Sequence, residues 1–402
     1  LVPPAEVTLK DPKDWKVVGK PKKRLDTLEK LTGKQVYGAD MMLPGMLNAS
    51  IKKCPVHGGK LISFDAEAVL SMPGVKSVVA VGDNAVAVVA STWWRANKAL
   101  DALPISWDKG ENVNVSSASI DEFLQEGLTA DNTFVGNKVG DVSAGLKNAA
   151  KTYTADYSYP YQNHAPMEPM NATAVWTKDR CEVWCPTQNG ESALAAAISA
   201  SELPAENCDV HKLSLGGGFG RRGAADFVTQ AVLIAKTLPG TPVKLLWTRE
   251  EDMLQGMFHP VTKARMTAGL DDDGNLDALH MRISGQSILA TLMPQAIENN
   301  DGMDPVVFQA MAPEGDHAIS YTVPDLLVDH AMRNTHITPG FWRGVNVNQN
   351  AIYMECFMDE VAHETGQDAL AFRQKAMTQH PLALAVLNKA ASMAGWGKPA
   401  EE

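Results

Sequence analysis

Leu215-Gly216-Gly217-Gly218-Phe219-Gly220-Arg221-Arg222-Gly223 is the stretch on which the reading of this chain turns. Glycines 216, 217, 218 and 220 carry no Cβ, so this backbone can reach φ > 0 and a ligand can approach its N–H groups. Val210–Leu215 before it alternates like a strand, and Ala224–Ala235 after it reads as a helix. A strand, a glycine loop and a helix N-terminus make an anion site, because unpaired N–H groups and the positive dipole end converge. Arg221 and Arg222 sharpen that preference. The ligand expected is the oxygen- or sulfur-rich head of an anionic cofactor, held by main chain. A nucleotide-triphosphate loop is excluded, since no Lys-Ser or Lys-Thr follows the last glycine. The dinucleotide fingerprint is excluded by spacing and by position in the chain. A tight turn without a ligand remains open.

Two further segments hold residues that are costly unless used. In Gln162-Asn163-His164-Ala165-Pro166-Met167-Glu168-Pro169-Met170-Asn171, two prolines bracket a dipeptide and fix Glu168 in extended or turn geometry. Apolar neighbours would desolvate that carboxyl and favour a form able to donate or exchange a proton; an exposed loop carboxylate is the plainer alternative. In Thr338-Pro339-Gly340-Phe341-Trp342-Arg343-Gly344-Val345, the Arg343 guanidinium can stack or fork onto an anion. Gln349 and Asn350 follow as amides opening a helix. Glu355, Asp359 and His363 lie on one face of that helix and read as a solvated or salt-bridged edge before a metal site.

The 402 residues carry a formal charge of −11, which argues against nucleic acid or an anionic membrane surface as partner. No apolar run approaches the roughly 18–20 residues that cross a bilayer. Five cysteines, odd in number, imply buried small hydrophobes and no disulfide framework. Their spacing matches no iron–sulfur pattern, so no cluster is expected in this chain. Leu1-Val2-Pro3-Pro4-Ala5 is neither an initiator Met nor a signal peptide, so the sequence is expected to be a processed product or a piece, its targeting segment gone.

The organisation reads as α+β. Residues 1–26 form a polar Lys/Pro-rich arm, 27–110 a small α+β domain, 111–150 a linker with structured patches, and 151–402 a second, mixed α/β domain. Strands are expected over Gln35–Asp40 and Gly45–Ile51, a hairpin over 75–90, and a helix from 92 to 100 capped by Thr92. Leu270–Leu276 is a hairpin turn, too short for a calcium loop.

Taken together, the three segments resemble the large, molybdenum-cofactor subunit of the xanthine dehydrogenase family of molybdenum hydroxylases. The resemblance is closest to the branch of isoquinoline 1-oxidoreductase and periplasmic aldehyde dehydrogenases. Residues from Gly33 to Trp107 resemble the family's a/b hammerhead domain. His164–Pro169, Gly216–Arg222 and Trp342–Val345 with Gln349-Asn350 match its cofactor domain. The resemblance implies an oxidoreductase that hydroxylates aldehydes or N-heterocycles with water as oxygen source. It also implies molybdopterin cytosine dinucleotide with molybdenum, held through dithiolene sulfurs with no protein metal ligand. Gly216, Gly217, Gly218, Phe219, Gly220 and Arg221 would face the cofactor on one side, and Arg343, Gly344 and Gln349 on the other. Glu168 would be the catalytic carboxylate, positioning substrate or exchanging a proton. The implied partners are a small [2Fe-2S] subunit and a cytochrome c, with a periplasmic address.

The chain departs from the family pattern in two places. Gly223-Ala224-Ala225 stands where an acidic residue usually follows the arginine pair, which loosens any inference about arginine orientation. No Gly-x-Gly-Glu segment, which carries the family's general base, precedes Glu402. A second chain or a missing C-terminal segment is therefore expected to complete the site, without which this chain would be inactive. Two other readings are kept: a non-catalytic remnant of the fold that binds partners, and a soluble anion-binding protein.

Overall fold

The computed structural model describes residues 3, 4 and 6–398. Leu1, Val2 and Ala5 of the expected arm, and residues 399–402 of the expected second domain, lie outside the described residues.

The first unit holds α1 (Thr27–Leu31), β1 (Leu47–Lys53), β2 (Lys60–Phe64), α2 (Glu67–Leu70), β3 (Val75–Val81), β4 (Ala85–Ala90), α3 (Trp93–Ala102) and β5 (Ile105–Asp108). Thr92 caps α3 as expected, its hydroxyl accepting from Arg95 N. The hairpin β3–β4 also forms where the alternation placed it. β4 is buried on both faces. Val86 and Val88 pack with Val69, Ala99 and Leu100, whereas Ala85, Ala87 and Val89 join the larger core on the other side. Gln35–Asp40 is not a strand, apart from one bridge between Tyr37 and Ser214. The Asp40 carboxylate accepts from Tyr37 N at 3.0 Å and folds the segment into a turn.

Residues 111–150 contain α4 (Ser117–Gly127), β6 (Phe134–Val139) and α5 (Val142–Asn148). A Ser116–Ser119 capping box starts α4, and β6 pairs with a strand nearly two hundred residues later. The next strands are β7 (Lys151–Tyr159), β8 (Gln162–Asn163), β9 (Asn171–Trp176) and β10 (Cys181–Cys185), then α6 (Gly190–Ser201), β11 (Cys208–Lys212), α7 (Asp226–Lys236), β12 (Val243–Leu246) and α8 (Arg249–Gln255). β13 (Phe258–His259), β14 (Thr262–Leu270), β15 (Leu276–Gly285), α9 (Ile288–Leu292), α10 (Pro294–Glu298), β16 (Asp325–Met332), α11 (Val347–Glu364), α12 (Ala369–Ala376) and α13 (Pro381–Ala394) complete the order.

Two large sheets result. One has five strands in the order β6-β16-β15-β14-β7 and packs against α11 and α12. The other has seven, in the order β11-β10-β9-β12-β1-β4-β3. In it β1 of the first unit lies parallel to β12 of the second, Leu47 opposite Val243 and Ala49 opposite Leu245. The two halves of the chain therefore share one sheet and one core, with Ile51, Val79 and Ala87 beside Ala172, Phe227 and Leu245. The α+β class is as expected. Arg373 of α12 takes Glu355 (2.8 Å) and Asp359 (2.6 Å) of α11, the salt-bridged edge that the spacing suggested.

Candidate functional site

The glycine loop leaves the end of β11 and runs between the 163–169 turn and the 339–345 segment. Left-handed backbone occurs at Gly217 (φ 105°), Phe219 (57°) and Gly220 (106°). A Cβ on Gly220 would run into the Phe341 carbonyl; on Gly218 it would lie 2.6 Å from Gln188 Oε1, and on Gly216 2.5 Å from Glu168 Cβ. The missing Cβ atoms are thus required by the chain's own packing, in addition to the positive φ and the open approach expected of them. Gly216 N donates to Glu168 Oε2 (2.8 Å) and Gly220 N to Gln188 Oε1 (3.0 Å). The amides of Gly217, Gly218 and Phe219 have no acceptor among the described residues. Three consecutive free donors remain, enough for an anion-binding nest.

Glu168 is buried beneath this loop. Its carboxylate accepts from Ala39 N (2.8 Å), Asn171 Nδ2 (3.0 Å), Gly216 N (2.8 Å) and Arg222 Nη2 (3.2 Å). Every neighbour is a donor, which suits an acceptor-only carboxylate and leaves a protonated carboxyl nothing to donate to. All four contacts of Glu168 fasten the loop, where substrate positioning or proton exchange was expected of it. The arginine pair is corrected in the same way. Arg222 is spent on Glu168 O (2.6 Å), Glu168 Oε2 and Gly217 O (2.8 Å). Arg221, expected to face a cofactor, is closed in a two-pronged pair on Asp226 at 2.7 Å for both bonds. Asp226 supplies the acid missing at 223–225. Because it opens α7, it also places a carboxylate at the helix end on which the dipole argument relied.

Arg343 is exposed and forms no ion pair among the described residues, and its guanidinium lies 4.3 Å from the Phe219 ring centroid and 5.3 Å from that of Trp342. Its amide donates to Phe219 O (2.9 Å), tying the two segments together. Arg343, Gly344 and Val345 all have positive φ (25°, 41° and 53°). Among the described residues seven non-glycine residues do so, and four of them (Ala165, Phe219, Arg343 and Val345) fall in the three segments read from the sequence. Strain persists where surrounding structure over-determines it, and here it converges on one place. The restraints are visible. His164 Nε2 faces Phe341 O (2.8 Å), His259 Nε2 faces Val345 O (3.0 Å), and Asn348 Nδ2 reaches Arg343 O (3.1 Å). Burial pushes His164 down to about 4, although its bonds to Phe341 O and Met257 O pull the other way. Gln349 does not reach the loop. It is buried and donates to Asn346 Oδ1 (2.6 Å), and its own Oε1 has no partner among the described residues.

Sequence reasoning missed Gln188 and Asp226. Gln188 follows the turn after β10 and fastens the loop through Gly220 N and Arg222 N. Its signal was a polar residue directly before the Asn189 cap of α6. Four cysteines are buried, and burial pushes the Cys181 and Cys185 thiols up to about 12, which opposes the thiolate a metal would need. The arrangement offers three main-chain donors and one unpaired guanidinium on a strained, restrained surface. Chemically, that is a cradle for a polyanion.

The family model for the molybdopterin cofactor-binding domain matches residues 125–377. One of the subunits of nicotinate dehydrogenase from Pseudomonas putida is 26% identical, with 97% of this chain and 33% of that protein covered. The beta subunit of isoquinoline 1-oxidoreductase from Brevundimonas diminuta is 27% identical, covering 97% of this chain and 50% of that one. The crystal structure of quinoline 2-oxidoreductase from Pseudomonas putida 86 superposes with a TM-score of 0.71 at 18% identity, over 92% of this chain and 53% of that one, a likeness of fold. The chain spans one third to about half of the length of these relatives.

Proposed function

Because the chain belongs to the molybdopterin cofactor-binding domain family, we propose that it forms the glycine-loop side of a molybdenum hydroxylase that oxidises aldehydes or N-heterocycles. The observation that carries the reading is the row of unpaired amides at Gly217, Gly218 and Phe219 beside the unpaired guanidinium of Arg343. These donors suit an anionic pterin dithiolene and its phosphate, and the orphaned Gln349 Oε1 leaves an acceptor behind the Arg343 segment. When bound, the cofactor supplies two-electron oxidation with water as oxygen source. The chain's own part is to bind and to orient. The amides fix the anionic head, Arg343 pairs with it from the opposite side, and the Phe219 ring backs the guanidinium and limits its hydration. Gly344 lets backbone approach closely, and Gln349 holds Asn346 at the base of the segment. Glu168, Arg222 and Gln188 hold the loop in shape and move no proton.

Electrons leave, in this reading, to a small iron–sulfur subunit, as the resemblance implies. A second polypeptide stretch completes the cradle. Cytosine as the pterin's nucleotide, a cytochrome c acceptor and a periplasmic address belong to the same proposal and rest on the resemblance. The test is molybdenum content by plasma mass spectrometry, with pterin fluorescence after oxidation, for wild type and Arg343→Ala. Loss of charge-assisted bonds should lower occupancy about tenfold or more, while the exposed site leaves folding stability within about 0.5 kcal/mol. Equal molybdenum in the two proteins would remove Arg343 from the site.

A further inference from the structure

The five-stranded sheet ends on an open edge. β7 pairs with β14 through all nine of its residues, from Tyr159 opposite Thr262 to Lys151 opposite Leu270, with no register shift. No strand lies on its other side, and its outward N–H and C=O groups meet no other backbone among the described residues. The remaining edges of the two large sheets are shorter: β11 has five residues, β6 six and β3 seven, the last with a register shift between Val75 and Ser77. Native edges are usually blunted by a proline, a bulge or an unpaired charge. β7 has none of these. Asp156 is closed on Arg265 of β14, and Lys151 reaches Glu364 of α11.

α11 lies over β7 and β14 and runs antiparallel to β7. Side chains fix the level of the two elements. The Tyr153 ring is 5.8 Å from Phe357 and the Tyr157 ring 5.9 Å from Tyr353, while the Tyr153 hydroxyl donates to Glu360 Oε2 (2.8 Å). Midway along both, Ala155 and Cys356 come level. Ile352, Cys356 and Glu360 recur every four residues and form the flank of α11 on the β7 side. Ile352 is 46% exposed, and Cys356 is the one exposed thiol of five. The opposite flank is closed by Arg373 on Glu355 and Asp359.

We propose that this edge and this flank receive a second copy of the chain, paired about a two-fold axis at Ala155. Residues opposite each other in an antiparallel pair share a face, so identical strands can register only on such centres. Centring on Ala155 sets Tyr153 against Tyr157 of the second copy and Lys151 against its Tyr159, with no like charges opposed. Centring on Asp156 would set two carboxylates face to face. With paired strands ~4.8 Å apart, the two α11 helices come to about 10 Å, an ordinary packing distance. Ile352 then faces Glu360 of the second copy, and the two Cys356 thiols meet at the axis. A strip roughly 30 Å long and 20 Å deep is of the order of the ~800 Å² a side that a standard interface buries. The two five-stranded sheets become one of ten strands, and neither keeps an open β7 edge. This proposal stands apart from the molybdenum reading.

Sedimentation velocity of the full chain at micromolar concentration should show a dimer. Diamide, which takes up the two protons and two electrons released when two thiols join, should turn that dimer into a disulfide-linked species on a denaturing gel. Cys356→Ser should abolish the linked species and leave the sedimenting dimer. Ile352→Glu opposes a carboxylate to Glu360 across the axis and should weaken the dimer about tenfold or more, with the crosslink slowing in step. Ile352→Lys offers the same Glu360 an opposite charge and should keep the dimer, which separates charge at the interface from mere loss of the isoleucine. A chain that stays monomeric, or a dimer that neither links through Cys356 nor distinguishes Glu from Lys at position 352, would overturn the proposal. Diamide linking Cys356 to a different polypeptide, in protein purified with its natural partners, would also overturn it by giving the edge another occupant.

Discussion

Glu168 joins three segments through four hydrogen bonds, and its loss would be felt in all of them. Glu168→Gln forces an amide N–H₂ against donors and leaves the buried Arg222 guanidinium without its counter-charge. About 3–5 kcal/mol of stability should be lost in urea unfolding, because one half of a buried pair remains. A variant as stable as wild type would return Glu168 to the list of substrate-facing acids. The glycines allow a sharper comparison. Gly220→Ala imposes a Cβ at φ 106° against the Phe341 carbonyl and should cost at least about 2 kcal/mol, with molybdenum content falling in step. Gly223→Ala meets open space and should lie within about 0.5 kcal/mol of wild type. Thermal unfolding of the pair decides it. At this scale the sequence disclosed which residues gather but not what each one does. His164–Glu168, the glycine loop and Arg343 converge as their motifs implied. The tasks of Glu168 and the two arginines depend on Ala39, Gln188 and Asp226, at 129, 34 and 5 residues from their partners, and only the fold decides which of them is met.

The segment from Phe341 to Val345 is the most constrained element. Val345 is β-branched at φ 53°, a conformation that costs about 1–2 kcal/mol relative to glycine. Val345→Gly should therefore unfold no earlier than wild type, to within about 1 kcal/mol, since relief of strain offsets the looser unfolded chain. Cofactor occupancy should nevertheless fall, because Arg343 would no longer be held over Phe219. A large drop in stability would show that the segment is relaxed and the positive angles harmless. Elements built from local chemistry were legible beforehand: the β3–β4 hairpin, the Thr92 cap, and the Asp271–Asn275 turn between β14 and β15. Elements made by distant pairing were not. β6 lies in a stretch that reads as linker and becomes a strand only because β16 offers it an edge.

Across the whole molecule, buried histidines contribute to the response to acid, and His164 and His330 carry the largest shifts. Burial pushes both His164 and His330 down to about 4, well below the ordinary 6.5. The unfolded chain then takes up protons first as the pH falls. Stability from these two is complete above about 6.5 and drains away between about 6.5 and about 4, by up to ~3 kcal/mol for each histidine. Urea unfolding at stepped pH should show this loss, and His164→Asn should reduce its slope by about 1.4 kcal/mol per pH unit. An unchanged slope would mean that His164 is already charged between its two carbonyls. The seven-stranded sheet dictates how the chain comes apart. A chain beginning at residue 111 would lack β1, β3 and β4, exposing the edge of β12 and removing Ile51, Val79 and Ala87 from the main core. It should show no cooperative urea transition. Parallel pairing of β1 with β12 also governs how this protein can be recombined with its relatives. A chimera cut between the two units would mate strands that never matured together across Leu47–Val243, Asn48–Lys244 and Ala49–Leu245. Grafts that exchange both strands as one block would keep that seam intact.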